Sequence, residues 1–246
     1  MRGRNIKNKG AEACREKFLS YFPKGFEDAL YLQWERNYKW EAHLAWKERL
    51  NRTVFKNLLE AGEYTEIANR AIKIETKTNL LFSFEKMALR DAVKTPAGAR
   101  AFSEGLYDYV YGRKSMQQRF GNFTQVLASL PRKQTRVLTW PLQTVFGFIG
   151  NPAQHIFLKP RVTQLAAQKY GYEFHYVSRP NWLTYQNFLD FAETIRHDNE
   201  DLKPADLIDL QSFMWVMGSD EYPDKNPEYK SAIPTLKDLA KAFFGK

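Results

Sequence analysis

Between Ala29 and Leu59 apolar residues return at every third or fourth position. Leu30, Trp34, Tyr38, Ala42 and Ala45 mark one face, and Glu35, Arg36, Lys39, Lys47, Glu48 and Arg49 fill the other. That period matches 3.6 residues per turn, so the segment reads as one amphipathic helix with a core-facing stripe. The same pattern recurs over residues 11–22, Thr65–Lys77, Leu80–Val93 and from Thr95-Pro96 to about Val110, where proline suits a first helical position. In Leu80–Val93 the spacing predicts Leu81, Phe84, Met87 and Ala88 inward, with Glu85, Lys86, Arg90 and Asp91 outward. Pro23-Lys24-Gly25 and Ala61-Gly62 separate the units. Residues 11–112 are therefore expected to form a helical domain. The aromatics Tyr31, Trp34, Tyr38, Trp40 and Trp46 fall at helical spacing, which marks core more readily than a base-stacking platform.

The pattern changes after Gly112. Residues 122–130, Val162–Tyr170, Pro180–Asp198, Ala205–Met217 and Thr235–Phe244 still read as helices. Short apolar runs cut by prolines and glycines follow at Val137–Trp140, Val145–Ile149, His155–Leu158 and Tyr172–Val177; the alternation of Tyr172, Phe174 and Tyr176 suits a strand, with which His155–Leu158 can pair in a strand–helix–strand element. The expected fold class is α+β, mainly helical: an N-terminal helical bundle followed by a mixed part with one small sheet. The domain plan is a flexible basic tail over 1–10, the helical part over 11–112 and the mixed part over 113–246, the last two able to share one core.

With 246 residues, 43% hydrophobic and 15% aromatic, the chain has enough apolar surface for a real core and is not a disordered polymer. No run of about 18 apolar residues is present, and the first residues lack the apolar centre of a secretory leader, so no membrane association and a cytoplasmic location are expected. One cysteine, Cys14, builds neither an internal disulfide nor by itself a zinc site.

The formal charge is +9, and its placement is more telling than its size. From Tyr109 to Tyr172 there is no Asp or Glu, while Arg113, Lys114, Arg119, Arg132, Lys133, Arg136, Lys159, Arg161 and Lys169 all fall there. Between Asp190 and Glu228 eleven acids face only Arg196, Lys203 and Lys225. The two segments can neutralise each other or lie on opposite sides of one globule. Gathered in a groove, the cations would instead attract phosphates by releasing counterions. Arg132, Lys133, Arg136, Lys159 and Arg161 are the candidate backbone contacts, with Trp140 as a base-stacking partner. Lys159 and Arg161 flank Pro160, which fixes the backbone just before a helix start.

Catalytic signals are thin. Glu75-Thr76-Lys77 matches the E-x-K half of a metal-dependent nuclease site, with Glu63 or Glu66 as the missing acid, but the surrounding window fits a helix better than a strand. His43, His155, His175 and His197 form no metal-binding spacing; His155 and His175 would meet beside Lys159 only if their strands were neighbours. Asp206 and Asp209 suit a helix cap better than a cation site. Cys14 has no histidine or cation pair to mark a nucleophile, and Gly147–Pro152 lacks the glycines and the lysine of a phosphate loop. No catalytic residue, metal or cofactor is assigned.

Leu138-Thr139-Trp140-Pro141, His155–Pro160 and Asp209–Val216 resemble a set of uncharacterised bacterial proteins, and a similar module occurs joined to ATPases of restriction or defence type. The likeness covers residues 138–217. It implies a prokaryotic cytosolic protein whose work touches nucleic acid, and it carries no catalytic residues. The leading expectation is thus a non-enzymatic binder of the phosphate backbone of DNA or RNA, an accessory factor in bacterial defence. A protein–protein adaptor is the first alternative and a metal-dependent nuclease the second.

Overall fold

The computed structural model describes residues 8–224. The tail expected over 1–10 lies outside them up to residue 7, while Lys9 and Gly10 already open the first helix. The helix expected at Thr235–Phe244 also falls outside the described residues.

Every regular element among the described residues is helical. In chain order these are α1 (Lys9–Tyr21), α2 (Ala29–Tyr31), a π-helical turn (Leu32–Arg36), α3 (Asn37–Arg49), α4 (Arg52–Glu60), α5 (Tyr64–Thr76), α6 (Ser83–Ala92), α7 (Pro96–Tyr111), α8 (Met116–Ser129), α9 (Trp140–Gly150), α10 (Pro160–Tyr170), α11 (Trp182–Asp198) and α12 (Leu207–Gly218). Two short 3₁₀ turns, Gly25–Glu27 and Glu200–Leu202, lie between them.

Side-chain caps set many of the boundaries. Asn51 ends the long helical rod by accepting from the Val54 N–H, so residues 29–60 form two rods rather than one. Ser115 and Gln118 make a reciprocal capping box that starts α8 well before residue 122. Thr139 caps α9, and Pro141 sits in its first turn.

The expected small sheet is absent among the described residues, and the fold is all-helical there. Local causes account for this, and for the other apolar runs. Val145–Ile149 lies inside α9, which is buried on all sides, so its apolar run is that of a central helix. His155–Leu158 is buried and in no regular element, and side chains satisfy its backbone groups: Ile156 N–H donates to the Tyr185 hydroxyl at 3.0 Å and Leu158 N–H to Thr144 Oγ1 at 3.0 Å. Tyr172–Val177 forms no regular element either: the Tyr176 N–H turns back to the Phe174 carbonyl at 3.0 Å, and the His175 backbone is tied to Asn187 and Thr184 of α11. Val137–Trp140 is the entry to α9.

A single buried cluster runs from Cys14 to Tyr222 and draws on both expected domains. α9 is surrounded by α3, α5, α7 and α8, and α12 packs against α1, α10, α11 and the π turn. The α10–α12 crossing is so close that a Cβ on Gly218 would lie 2.1 Å from the Val162 carbonyl oxygen. No helix among the described residues is long and apolar enough to cross a membrane.

Candidate nucleic-acid interface

The loop between α8 and α9 holds Arg132, Lys133 and Arg136, all exposed and none in an ion pair among the described residues. Arg132 Nε donates within the loop to the Gln134 carbonyl at 3.1 Å. The loop is anchored at its end, where Thr139 Oγ1 meets Glu85 Oε1 of α6 at 3.3 Å. Nearer its start it borders the other end of α6. There Asp91 is held below the usual carboxylate range first by the Lys94 ammonium bonded to it at 2.8 Å, and in smaller part by Lys133.

The other candidate contacts are placed elsewhere. Trp140 is 1% exposed, and its Nε1 donates to the Val177 carbonyl at 2.8 Å, so it offers no face to a base. Lys159 is 9% exposed; its Nζ donates to the Leu80 carbonyl at 2.9 Å and lies 3.5 Å from the centre of the Phe82 ring. Burial pushes the Lys159 ammonium pKa down, opposed by Glu85 and Glu221. It serves the fold rather than a phosphate. Arg161 is exposed, with Asp220 at 3.5 Å.

The remaining cations of the acid-free span are also dispersed. Arg119 is buried and donates to the Tyr109 carbonyl, closing the C-terminal end of α7. Lys169 bonds Asp224 at 3.0 Å, and Asp224 also binds Lys17 at 2.7 Å. Arg113 and Lys114 precede α8, about 21 Å from the 131–139 loop at 1.5 Å per residue. The acids of 190–224 mostly face other partners: Asp201 pairs with Arg15, Asp206 and Asp209 with Arg36, and Glu193 with Arg196. Lys225 and Glu228 lie outside the described residues.

α6 supplies what the periodicity missed. The helix buries Glu85, Ala88, Leu89 and Ala92, and leaves Phe82, Phe84 and Met87 exposed by 53%, 47% and 55%. Leu81 and Ala88 face inward as expected, but Phe84 and Met87 point outward and Glu85 inward. Glu85 turns inward because it closes the helix start, accepting from the Phe82 N–H at 2.9 Å, and because Thr139 reaches it. Burial raises the Glu85 carboxyl pKa against these bonds. The Phe82 and Phe84 rings stack at 5.5 Å with 23° between their planes. A helix that buries an acid and presents two phenyl rings carries an informative anomaly, since exposed contiguous apolar surface marks an interaction site.

The candidate chemistry does not assemble. Glu75 is buried within α5, with Lys86 at 3.3 Å, and nine helical residues set it about 14 Å along the axis from Glu66. No group of three potential metal ligands occurs among the described residues. His155 is fully buried, and burial drives its imidazole down to about 3. His175 is exposed beside Glu173, so the two histidines share no pocket. His43 bonds the Ile149 carbonyl at 2.8 Å. Burial pushes the Cys14 thiol up to about 11, against the cations Lys169 and Lys17.

Compared with protein-family models, curated proteins and solved structures, the chain has no significant match.

Proposed function

We propose that this protein is a non-enzymatic binder of single-stranded nucleic acid, with its contact surface on the 131–139 loop and the adjoining end of α6. Arg132, Lys133 and Arg136 contact phosphates, and the Phe82–Phe84 pair replaces Trp140 as the stacking platform. One observation carries the reading: two exposed, stacked phenyl rings are tied by the Thr139–Glu85 bond to a loop of three cations that make no ion pair among the described residues. Cations tracking a backbone beside aromatic faces are the ordinary means of holding a single strand without base readout. An accessory role in bacterial defence rests on the resemblance of residues 138–217 alone.

The test is fluorescence anisotropy with a labelled oligodeoxythymidine at low salt. The wild-type chain binds, and the triple substitution Arg132→Glu, Lys133→Glu, Arg136→Glu removes binding. Equal affinity of the two proteins overturns the proposal.

A further inference from the structure

A cleft of about 460 Å³ opens between the end of α3 and the outer face of α5, lined by Arg49, Glu66, Asn69, Arg70 and Lys73. Three of these side chains are cations and one is an acid. The acid is engaged, since Glu66 Oε1 accepts from Arg70 Nε at 2.7 Å. A second bond, from Arg70 Nη1 to the Arg49 carbonyl at 3.2 Å, fixes the guanidinium and closes one of the open carbonyls that end α3. Arg70 Nη2 makes no hydrogen bond to a described residue. Arg49 has only the largely exposed Glu48 beside it, at 3.8 Å. Lys73 is exposed and in no ion pair among the described residues.

The cleft connects to the 131–139 loop through a file of cations. Glu66, Arg70, Lys73 and Lys77 recur at steps of three and four, so Lys77 stands one turn beyond the cleft on the same side, exposed and unpaired among the described residues. Thr76, next to it, accepts from Arg90 Nη2 at 3.3 Å, which ties this end of α5 to α6. Arg90 is exposed without an ion pair and follows Phe84 and Met87 at three-residue steps on the outer side of α6. Its neighbour Asp91 has its carboxyl pKa lowered first by the bond to Lys94 and in smaller part by Lys133 of the loop. The acids along this route, Asp91, Glu66 and Glu48, each lie against a cation. Glu63 precedes α5, about 15 Å along the axis from Lys73.

We propose that this file carries the same single strand onward from the phenyl pair. Its phosphates run past Arg90 and Lys77 to Lys73, and one phosphate sits in the cleft between Arg49, Arg70 and Lys73. The inference rests on the nucleic-acid reading above and lengthens it from a loop contact to a path. Continuity selects the occupant: Phe84 and Met87 lead directly to Arg90, and unpaired cations in file match a chain of phosphates. A guanidinium already held at two nitrogens meets a phosphate oxygen in a fixed geometry.

The test is anisotropy titration of the full chain with labelled oligodeoxythymidines of about 5 and about 15 nucleotides, near the two ends of the range that one binding module covers. The shorter strand meets the loop and the phenyl pair alone. The longer strand binds roughly tenfold more tightly at low salt. Lys73→Gln with Lys77→Gln removes that gain and leaves the shorter strand within about twofold of wild type. In this protein the slope of log K against log salt for the longer strand becomes shallower by about 1.4, at about 0.7 per cation. Arg49→Gln, which addresses the cleft itself, also weakens the longer strand only. Lys73 and Lys77 are exposed and unpaired, so the urea midpoint of the double substitution stays unchanged. Equal affinity for the two lengths, a longer strand indifferent to either variant, or an equal loss for both lengths overturns the proposal. If the shorter strand binds and the longer one gains nothing, the loop reading stands and only the path is removed. Binding of neither length removes both.

Discussion

Trp140 Nε1 donates to the Val177 carbonyl at 2.8 Å across 37 residues of chain. That bond joins the first turn of α9 to the segment 172–177, and the indole is 1% exposed, which removes it from any ligand. Trp140→Phe keeps a ring in the core and deletes the donor. Val177 is half exposed, so water can take the vacated place and the loss is about 0.5–1.5 kcal/mol, read as a small fall in the urea midpoint and quicker amide exchange near residues 174–177. Affinity for oligodeoxythymidine stays within about twofold. A large loss of affinity in a folded Trp140→Phe protein would return the stacking role to Trp140.

Phe84→Ala separates binding from folding. The ring is exposed and lies on the outer face of α6, so its removal leaves thermal stability nearly unchanged. Loss of one stacked base costs about 1–3 kcal/mol, or about 5- to 150-fold in affinity. Titration of the variant with the labelled strand checks this, and wild-type affinity would remove the platform from the account.

Lys39 tests the interior. Its ammonium lies 3.1 Å from Glu35 and 2.7 Å from Ser212 Oγ, with both charged groups buried, and the Tyr222 hydroxyl donates to Glu35 at 2.6 Å. Lys39→Ala leaves the Glu35 carboxylate without its cation, which costs about 3–5 kcal/mol in urea unfolding. Lys39→Met combined with Glu35→Gln removes both charges and recovers most of that loss. A double substitution no better than the single one contradicts this assignment.

Acid stability should depend on His155. Its folded-state pKa, about 3, lies below the ordinary 6.5, because burial first and Arg119 second disfavour the imidazolium. The unfolded chain thus binds the proton more readily. The stability contributed is complete above pH 6.5 and is lost as pH falls from there toward 3, by about 1.4 kcal/mol per pH unit. Buried Glu75, Glu85 and Asp209, whose carboxyl pKa values burial raises, act in the opposite direction. The difference between wild type and His155→Gln isolates the histidine. The wild-type urea midpoint should drop more between about pH 7 and about pH 5 than the variant's. Parallel curves would show that His155 is not the acid-sensitive group.

The helices were legible where apolar spacing and breakers agreed, as in α1, α5, α7 and α11. Two errors share a cause, which is that a side chain outbid the local pattern. The segments 155–158 and 172–177 carry strand-like residues, but the hydroxyls of Tyr185, Thr144 and Thr184 and the amide of Asn187 take the places that ladder bonds would fill. Thr139 with Pro141 announced a helix start, a signal that the apolar run after it concealed. In α6 Leu81 and Ala88 face inward as the spacing predicts, but the buried stripe continues through Glu85, Leu89 and Ala92 rather than through the more hydrophobic Phe84 and Met87. Of the candidate site, the exposed cations of the 131–139 loop could be read from charge, whereas the burial of Trp140 and Lys159 depended on Val177, Leu80 and Phe82, which are distant in sequence.

The most direct test of the central claim is the salt dependence of oligodeoxythymidine binding. Three phosphate contacts on a single strand give a slope of about −2 for log K against log salt, at about −0.7 per cation. Replacing Arg132, Lys133 and Arg136 by glutamine should bring that slope close to zero. An unchanged slope in the triple glutamine protein, or no binding by the wild type at low salt, contradicts the account.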